Sequence, residues 1–191
     1  GPGTYTVNLV SVGSENQIRW GSPVPPSGQS GLGFTGASSI VTFSEGQEFQ
    51  VGNLQHFNQT IYMGTVLTGA DLAIVLNLST SAVSPSFTFT LSMNETPNAG
   101  PCPVGSPPCA DIITLANTFP SQTFTVDGEV KTLEIVGFRT SPSGPLLSSF
   151  ISPEDSSNSL LLFGRITDAP TPTPNPSSVD DDDKAYALAV L

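Results

Sequence analysis

Charge is scarce in this chain of 191 residues, and positive charge scarcer still: Asp, Glu, Lys and Arg make up 11%, with five Lys and Arg against 16 Asp and Glu. The resulting net charge of −11 repels phosphate backbones and anionic surfaces at long range, so no nucleic-acid partner is expected. No apolar run approaches the roughly 18 residues of a membrane helix, which argues against membrane insertion. No stretch shows the spacing of an amphipathic helix. The first residues lack the basic and apolar regions of a secretory signal, so Gly1-Pro2-Gly3 reads as a mature N-terminus or an engineered remnant. There is one histidine, one tryptophan and one pair of cysteines.

Glycine and proline are plentiful, at 18 each, and 37% hydrophobic residues with 11 Phe suffice for a core. That composition suits many short strands joined by turns. Residues 5–12 alternate as a half-buried strand should, with Tyr5, Val7 and Leu9 on one face. Further strands are expected at 39–43, 48–51, 73–78, 86–93, 112–115, 122–126, 130–138 and 160–166. Asp127-Gly128 is the sharpest hairpin signal, because both residues tolerate positive φ. The expected fold is all-β, a jelly-roll-like sandwich of two sheets in one domain over 1–167. Beyond it, residues 168–184 form a Pro/Thr/Asp-rich linker that alternating prolines and repelling aspartates hold extended. The last segment, 185–191, again reads as a strand.

Few residues suggest chemistry. Cys102 and Cys109 bracket a loop rich in Pro and Gly, short enough for a disulfide and hence for an oxidising compartment; a closed Cys/His zinc shell would need more histidine than the chain has. Gly31-Leu32-Gly33-Phe34-Thr35-Gly36 has the spacing of a dinucleotide-binding loop but not its strand and helix, so it reads as a glycine-rich turn entering a strand. His56 has no nucleophile motif near it and reads as structural, bonded to backbone or a neighbouring side chain. Glu45, Glu48, Asp127, Glu129 and Glu134 are acids of the type a glycosidase pairs, without a convergent motif. The run 180–183 reads as solvated charge rather than a calcium loop, and Asp180 to Lys184 resembles an enterokinase recognition sequence, which admits an engineered origin. No catalytic residue, cofactor or metal is expected. Covalent glycans are candidate partners, at Asn58, Asn77 and Asn94 by the acceptor pattern and at Thr171 and Thr173 in the Pro/Thr stalk.

Several phrases together resemble the secreted bacterial choice-of-anchor K family, which overlaps proteins named for a Thr-His-x-Asn motif in the PEP-CTERM surface-sorting class. They are Ile18-Arg19-Trp20-Gly21, Ser30 to Gly36, Gly52-Asn53-Leu54-Gln55-His56-Phe57-Asn58, Asn94-Glu95-Thr96-Pro97-Asn98, Cys109-Ala110-Asp111, and Phe124 to Gly128 leading to Ile135-Val136-Gly137-Phe138. The resemblance implies an exported β-sandwich without an established catalytic role, anchored by a variable C-terminal segment. Gln55 stands where the naming motif has threonine, and the tail shows no sorting helix followed by basic residues.

The tail carries the functional expectation. Its 17 residues 168–184 reach about 50 Å at about 3.1 Å per residue, past a domain about 40 Å across. Residues 185–191 then present Tyr186, Leu188 and Val190 on one face, with Leu191 at the end of the small alanine face. This points to an extracellular structural subunit, not an enzyme, whose terminal strand completes the sheet of the next copy in a homopolymer. The alternatives are a strand that folds back on its own domain, and a cell-surface carbohydrate-binding or adhesion module using exposed aromatics such as Trp20. A hydrolase, the remaining class, would depend on His56 or Glu95.

Overall fold

The computed structural model describes residues 7–38, 42, 44–79, 84–115 and 121–168. These residues build strands and no helix: β1 (Asn8–Val12), β2 (Glu15–Trp20), β3 (Ser30–Gly36), β4 (Glu48–Asn58), β5 (Gly69–Val75), β6 (Ser86–Asn94), β7 (Asp111–Leu115), β8 (Ser121–Val126), β9 (Glu129–Arg139), β10 (Ser149–Ser152) and β11 (Ser156–Asp168). They form a seven-stranded sheet in the order β1-β2-β3-β4-β11-β9-β8 and a four-stranded sheet in the order β10-β7-β6-β5. The fold is the expected two-sheet β-sandwich.

The small sheet crosses the large one steeply. Early in β6, Thr88 exchanges hydrogen bonds with the Gln122 side chain of β8, and Phe87 meets Phe124 edge-on with ring centroids 5.4 Å apart. Just past the other end of β6, Glu95 accepts a hydrogen bond from Trp20 Nε1 on β2. One strand thus spans most of the breadth of the opposing sheet, as in orthogonal packing. Phe87, Phe89, Leu91 and Met93 alternate inward along it, against Leu54, Leu133, Ile135 and Leu162 of the large sheet. Two bulges flank β11, with Val51 extra on β4 and Val136 extra on β9, and each locally strengthens the twist.

The hairpin between β8 and β9 turns at Asp127 and Gly128, with φ of 52° and 82°, the geometry expected there. Other expectations need correction. The described part of 5–12 is not half-buried: all of β1 is exposed on a sheet edge. Residues 31–36 are not a turn but strand β3, in register between β2 and β4. Its glycines face outward, where a Cβ on Gly31 would meet Arg19 Cδ at 2.5 Å and one on Gly33 would meet Glu15 Cδ at 2.6 Å. The glycines let those long polar side chains lie flat, while Leu32 and Phe34 point into the core. Strands β2 and β10 were not expected, and β4 continues seven residues beyond the 48–51 segment, to Asn58. The sandwich extends through β11 to Asp168; the expected linker beyond it and the strand at 185–191 lie outside the described residues.

Candidate functional site

Along the large sheet the inward face changes character. Register sets Phe34, Leu54 and Leu160 in one row, then Leu32, His56 and Asn158, then Ser30, Asn58 and Ser156. The apolar floor therefore ends in a polar margin. The small sheet matches it: Glu95 and Thr96 follow β6, Asp111 opens β7, and Ser152 closes β10 opposite Asp111. Because Asn94 pairs with Ile112, Glu95 falls across from Asp111. The Cys102–Cys109 disulfide closes the loop that delivers Asp111, and Cys109 is itself buried.

His56, Glu95 and Asp111 each offer one donor atom, all within 4.8 Å of one another. His56 and Asp111 are 1% and 3% exposed, and Glu95 is half-buried. The His56 ring stacks on Trp20 at 6.3 Å and meets Phe150 edge-on at 6.5 Å. Trp20 Nε1 donates to Glu95 Oε1 at 2.7 Å, and Thr96 N donates to Asp111 Oδ1 at 2.8 Å. Asn58 Nδ2 donates to Ser152 O at 2.9 Å, joining the sheets beside the cluster. His56 Nδ1, Asn58 Oδ1 and Asp111 Oδ2 are buried with no hydrogen-bond partner among the described residues.

Burial sets the electrostatics. It pushes the Glu95 carboxyl up to about 7, helped by the nearby Asp111 charge, and the Asp111 carboxyl up to about 6. Burial lowers the His56 imidazole to about 4. No described cationic side chain neutralises the two acids. Lys131 pairs with Glu45, Glu129 and Asp168, Arg139 with Glu48, Arg165 with Glu134, and Arg19 lies over the Phe57 ring.

A second feature lies along the free edge of β5, which among the described residues pairs with β6 alone. Ile18, Leu32, Phe34 and Leu54 of the large sheet, with Leu72 and Leu91 of the small one, line a small, open apolar cleft beside that edge, with room for about one water molecule.

Several sequence-predicted sites are placed differently from expectation. His56 is buried, in keeping with a structural role, but its Nδ1 has no hydrogen-bond partner among the described residues and it sits beside Glu95 and Asp111. Four of the five acids singled out as a glycosidase's candidates, Glu45, Glu48, Glu129 and Glu134, are held in ion pairs, and Asp127 occupies a turn. Trp20 is 1% exposed at the end of β2, not in a loop, so it is unavailable to a sugar. Asn58 is likewise 1% exposed with its amide donating into the core, which removes it as a glycan site, whereas Asn77 and Asn94 are exposed. Thr171, Thr173, Tyr186, Leu188, Val190 and Leu191 lie outside the described residues. Sequence reasoning missed the convergence of His56, Glu95 and Asp111. The signal was available, because each sits in a separate one of the phrases that carried the family resemblance.

Comparison with protein-family models finds no match for this chain, and comparison with curated proteins finds none either.

Proposed function

We propose that this protein is an extracellular structural subunit that polymerises head to tail, the strand 185–191 of one copy adding to the β5 edge of the next. The observation that carries this reading is the β5 edge, unpaired among the described residues, beside an apolar cleft. An added strand would gain main-chain hydrogen bonds from the β5 edge, with the small apolar cleft beside it. The tail has the matching chemistry, with Tyr186, Leu188 and Val190 alternating with alanines. Burying those three side chains is worth about 5–8 kcal/mol before ordering costs. The reach of 168–184 favours a neighbour's edge over the chain's own, since a short connection would serve self-pairing. The disulfide fits an oxidising, extracellular setting, as does membership of the choice-of-anchor K family, which the shared phrases suggest. The role is non-catalytic. The burial of His56 and Asp111, at 1% and 3% exposure, supports this. Glycans on Asn77 or Asn94 would sit on the fibre surface.

Negative-stain microscopy and sedimentation of the full chain and of a chain lacking 185–191 test the reading. The full chain should form filaments and the truncated one a folded monomer, and a synthetic 185–191 peptide should cap growth. Filaments of the truncated protein, or a full chain that stays monomeric at high concentration, would overturn it.

A further inference from the structure

The polar margin between the sheets is built as a ligand shell and has no role in strand exchange. We infer that His56, Glu95 and Asp111 bind one divalent cation of the zinc class, which clamps the seven-stranded sheet to the four-stranded one.

Three independent observations carry the inference. The donor atoms already converge within 4.8 Å from three separate strands or strand ends, so coordination requires side-chain adjustment rather than refolding. Two acids share a buried site from which every described cationic side chain is absent, and buried carboxylates need a compensating positive charge. His56 Nδ1 and Asp111 Oδ2 are buried yet unpartnered, although buried polar atoms are nearly always bonded. A third unpartnered atom, Asn58 Oδ1, lies on the same inward face of β4 two residues beyond His56.

The donor set selects the ion. Calcium and magnesium favour all-oxygen shells of six or more ligands, whereas one imidazole with two carboxylates suits a small tetrahedral ion of borderline softness. Zinc bonds of about 2.0–2.2 Å hold neighbouring ligand atoms about 3.4 Å apart. Drawing the donor atoms in from within 4.8 Å of one another to that spacing would fall chiefly to Glu95, the least buried member of the cluster. The fourth position falls to Asn58 Oδ1 or a water. Burial of His56 and Asp111 marks the site as structural, since catalytic zinc keeps an open face. His56 comes from the large sheet and both acids from the small one, so the ion would tie the two layers where their apolar contact ends. The disulfide loop then acts as a support that fixes the approach of Asp111.

The test uses the full chain, stripped with a chelator and titrated near neutral pH with zinc chloride and, in parallel, calcium chloride by calorimetry. One-to-one zinc uptake is expected, with a rise in Tm, and roughly tenfold or greater weakening in each of His56→Gln, Glu95→Gln and Asp111→Asn. Glu95→Gln keeps an acceptor for Trp20, so it should fold even if the buried substitutions do not. Cobalt(II) gives a readout independent of any variant, because a four-coordinate site produces strong visible absorption bands. Calcium binding in preference to zinc, zinc uptake unchanged in Glu95→Gln, or cobalt bands of a six-coordinate ion would overturn the assignment. Filament formation is read separately, so failure of either proposal leaves the other standing.

Discussion

Two outward glycines of β3 show how a single added methyl divides by what it strikes. A Cβ on Gly33 meets the end of the Glu15 side chain, which can swing into water, but one on Gly31 also meets the backbone oxygen of Ile18 at 2.6 Å. Gly31→Ala should therefore cost about 2 kcal/mol in urea unfolding and Gly33→Ala less than about 0.5 kcal/mol. Equal costs would refute the distinction. A second prediction concerns Glu95 in chelated protein. Its carboxyl titrates near 7 and that of Asp111 near 6 in the folded chain, well above the values near 4 of unfolded acids. The native state then holds more protons than the unfolded state in this window, so stability falls as pH rises through about 6 to 7. His56, lowered to about 4, works the other way: below about 6.5 the unfolded chain takes up a proton that the native chain does not. Between pH 8 and pH 6 the Glu95 contribution dominates, leaving the protein about 1 kcal/mol more stable at pH 6. Thermal melts of Glu95→Gln should show that gain flattened, and an unchanged slope would place the titration elsewhere.

Strands reveal why some elements were legible in sequence and others were not. β6 and β9 announce themselves, because Phe87, Phe89, Leu91 and Met93 on the one and Leu133 and Ile135 on the other are large, apolar and alternate, and Asp127-Gly128 suits the tight turn into β9. β3 is hidden by its outward glycines, which remove the polar half of the usual alternation. The far half of β4 is hidden for the opposite reason: His56 and Asn58 point inward and look like surface residues until Glu95 and Asp111 are placed against them. That pairing depends on sheets meeting across some forty or more residues of sequence, which no local pattern encodes. β1 misleads in another way, since its alternation matches a buried strand although it lies exposed at an edge. The loop between β6 and β7 was readable from its cysteines alone, and its closure gives a third prediction. Cross-linking residues seven apart restricts the unfolded chain by about 2.5 kcal/mol on the loop-entropy account. Replacing both cysteines with alanine should lower stability by about that amount or somewhat more, because Cys109 is wholly buried. Denaturant melts under oxidising conditions measure it, and no loss would mean that the loop is held by its packing instead.

For the molecule as a whole, the question is which edge of the sandwich is open to a partner, and backbone hydrogen bonding around β5 allows a selective answer. Met93 N donates to Thr68 O and Leu76 N donates to Pro85 O at the two ends of the β5–β6 pair, so the even-numbered residues of β5 bond inward to β6. Antiparallel geometry then turns the N–H groups of Asp71, Ala73 and Val75 outward, toward the free edge. Proline at Ala73 would remove one outward donor and leave every bond to β6 intact, a substitution that edge strands tolerate. At Ile74, by contrast, it would break a ladder bond and displace a core side chain. Ala73→Pro should thus melt within a few degrees of the parent chain yet fail to form filaments, with Ile74→Pro unfolding outright. Mixed with parent subunits, the Ala73→Pro chain still carries an intact tail but offers no acceptor, so it should stop growth at one end and shorten filaments in proportion to its share. Filaments of normal length from such mixtures would show that subunits join through some surface other than the β5 edge.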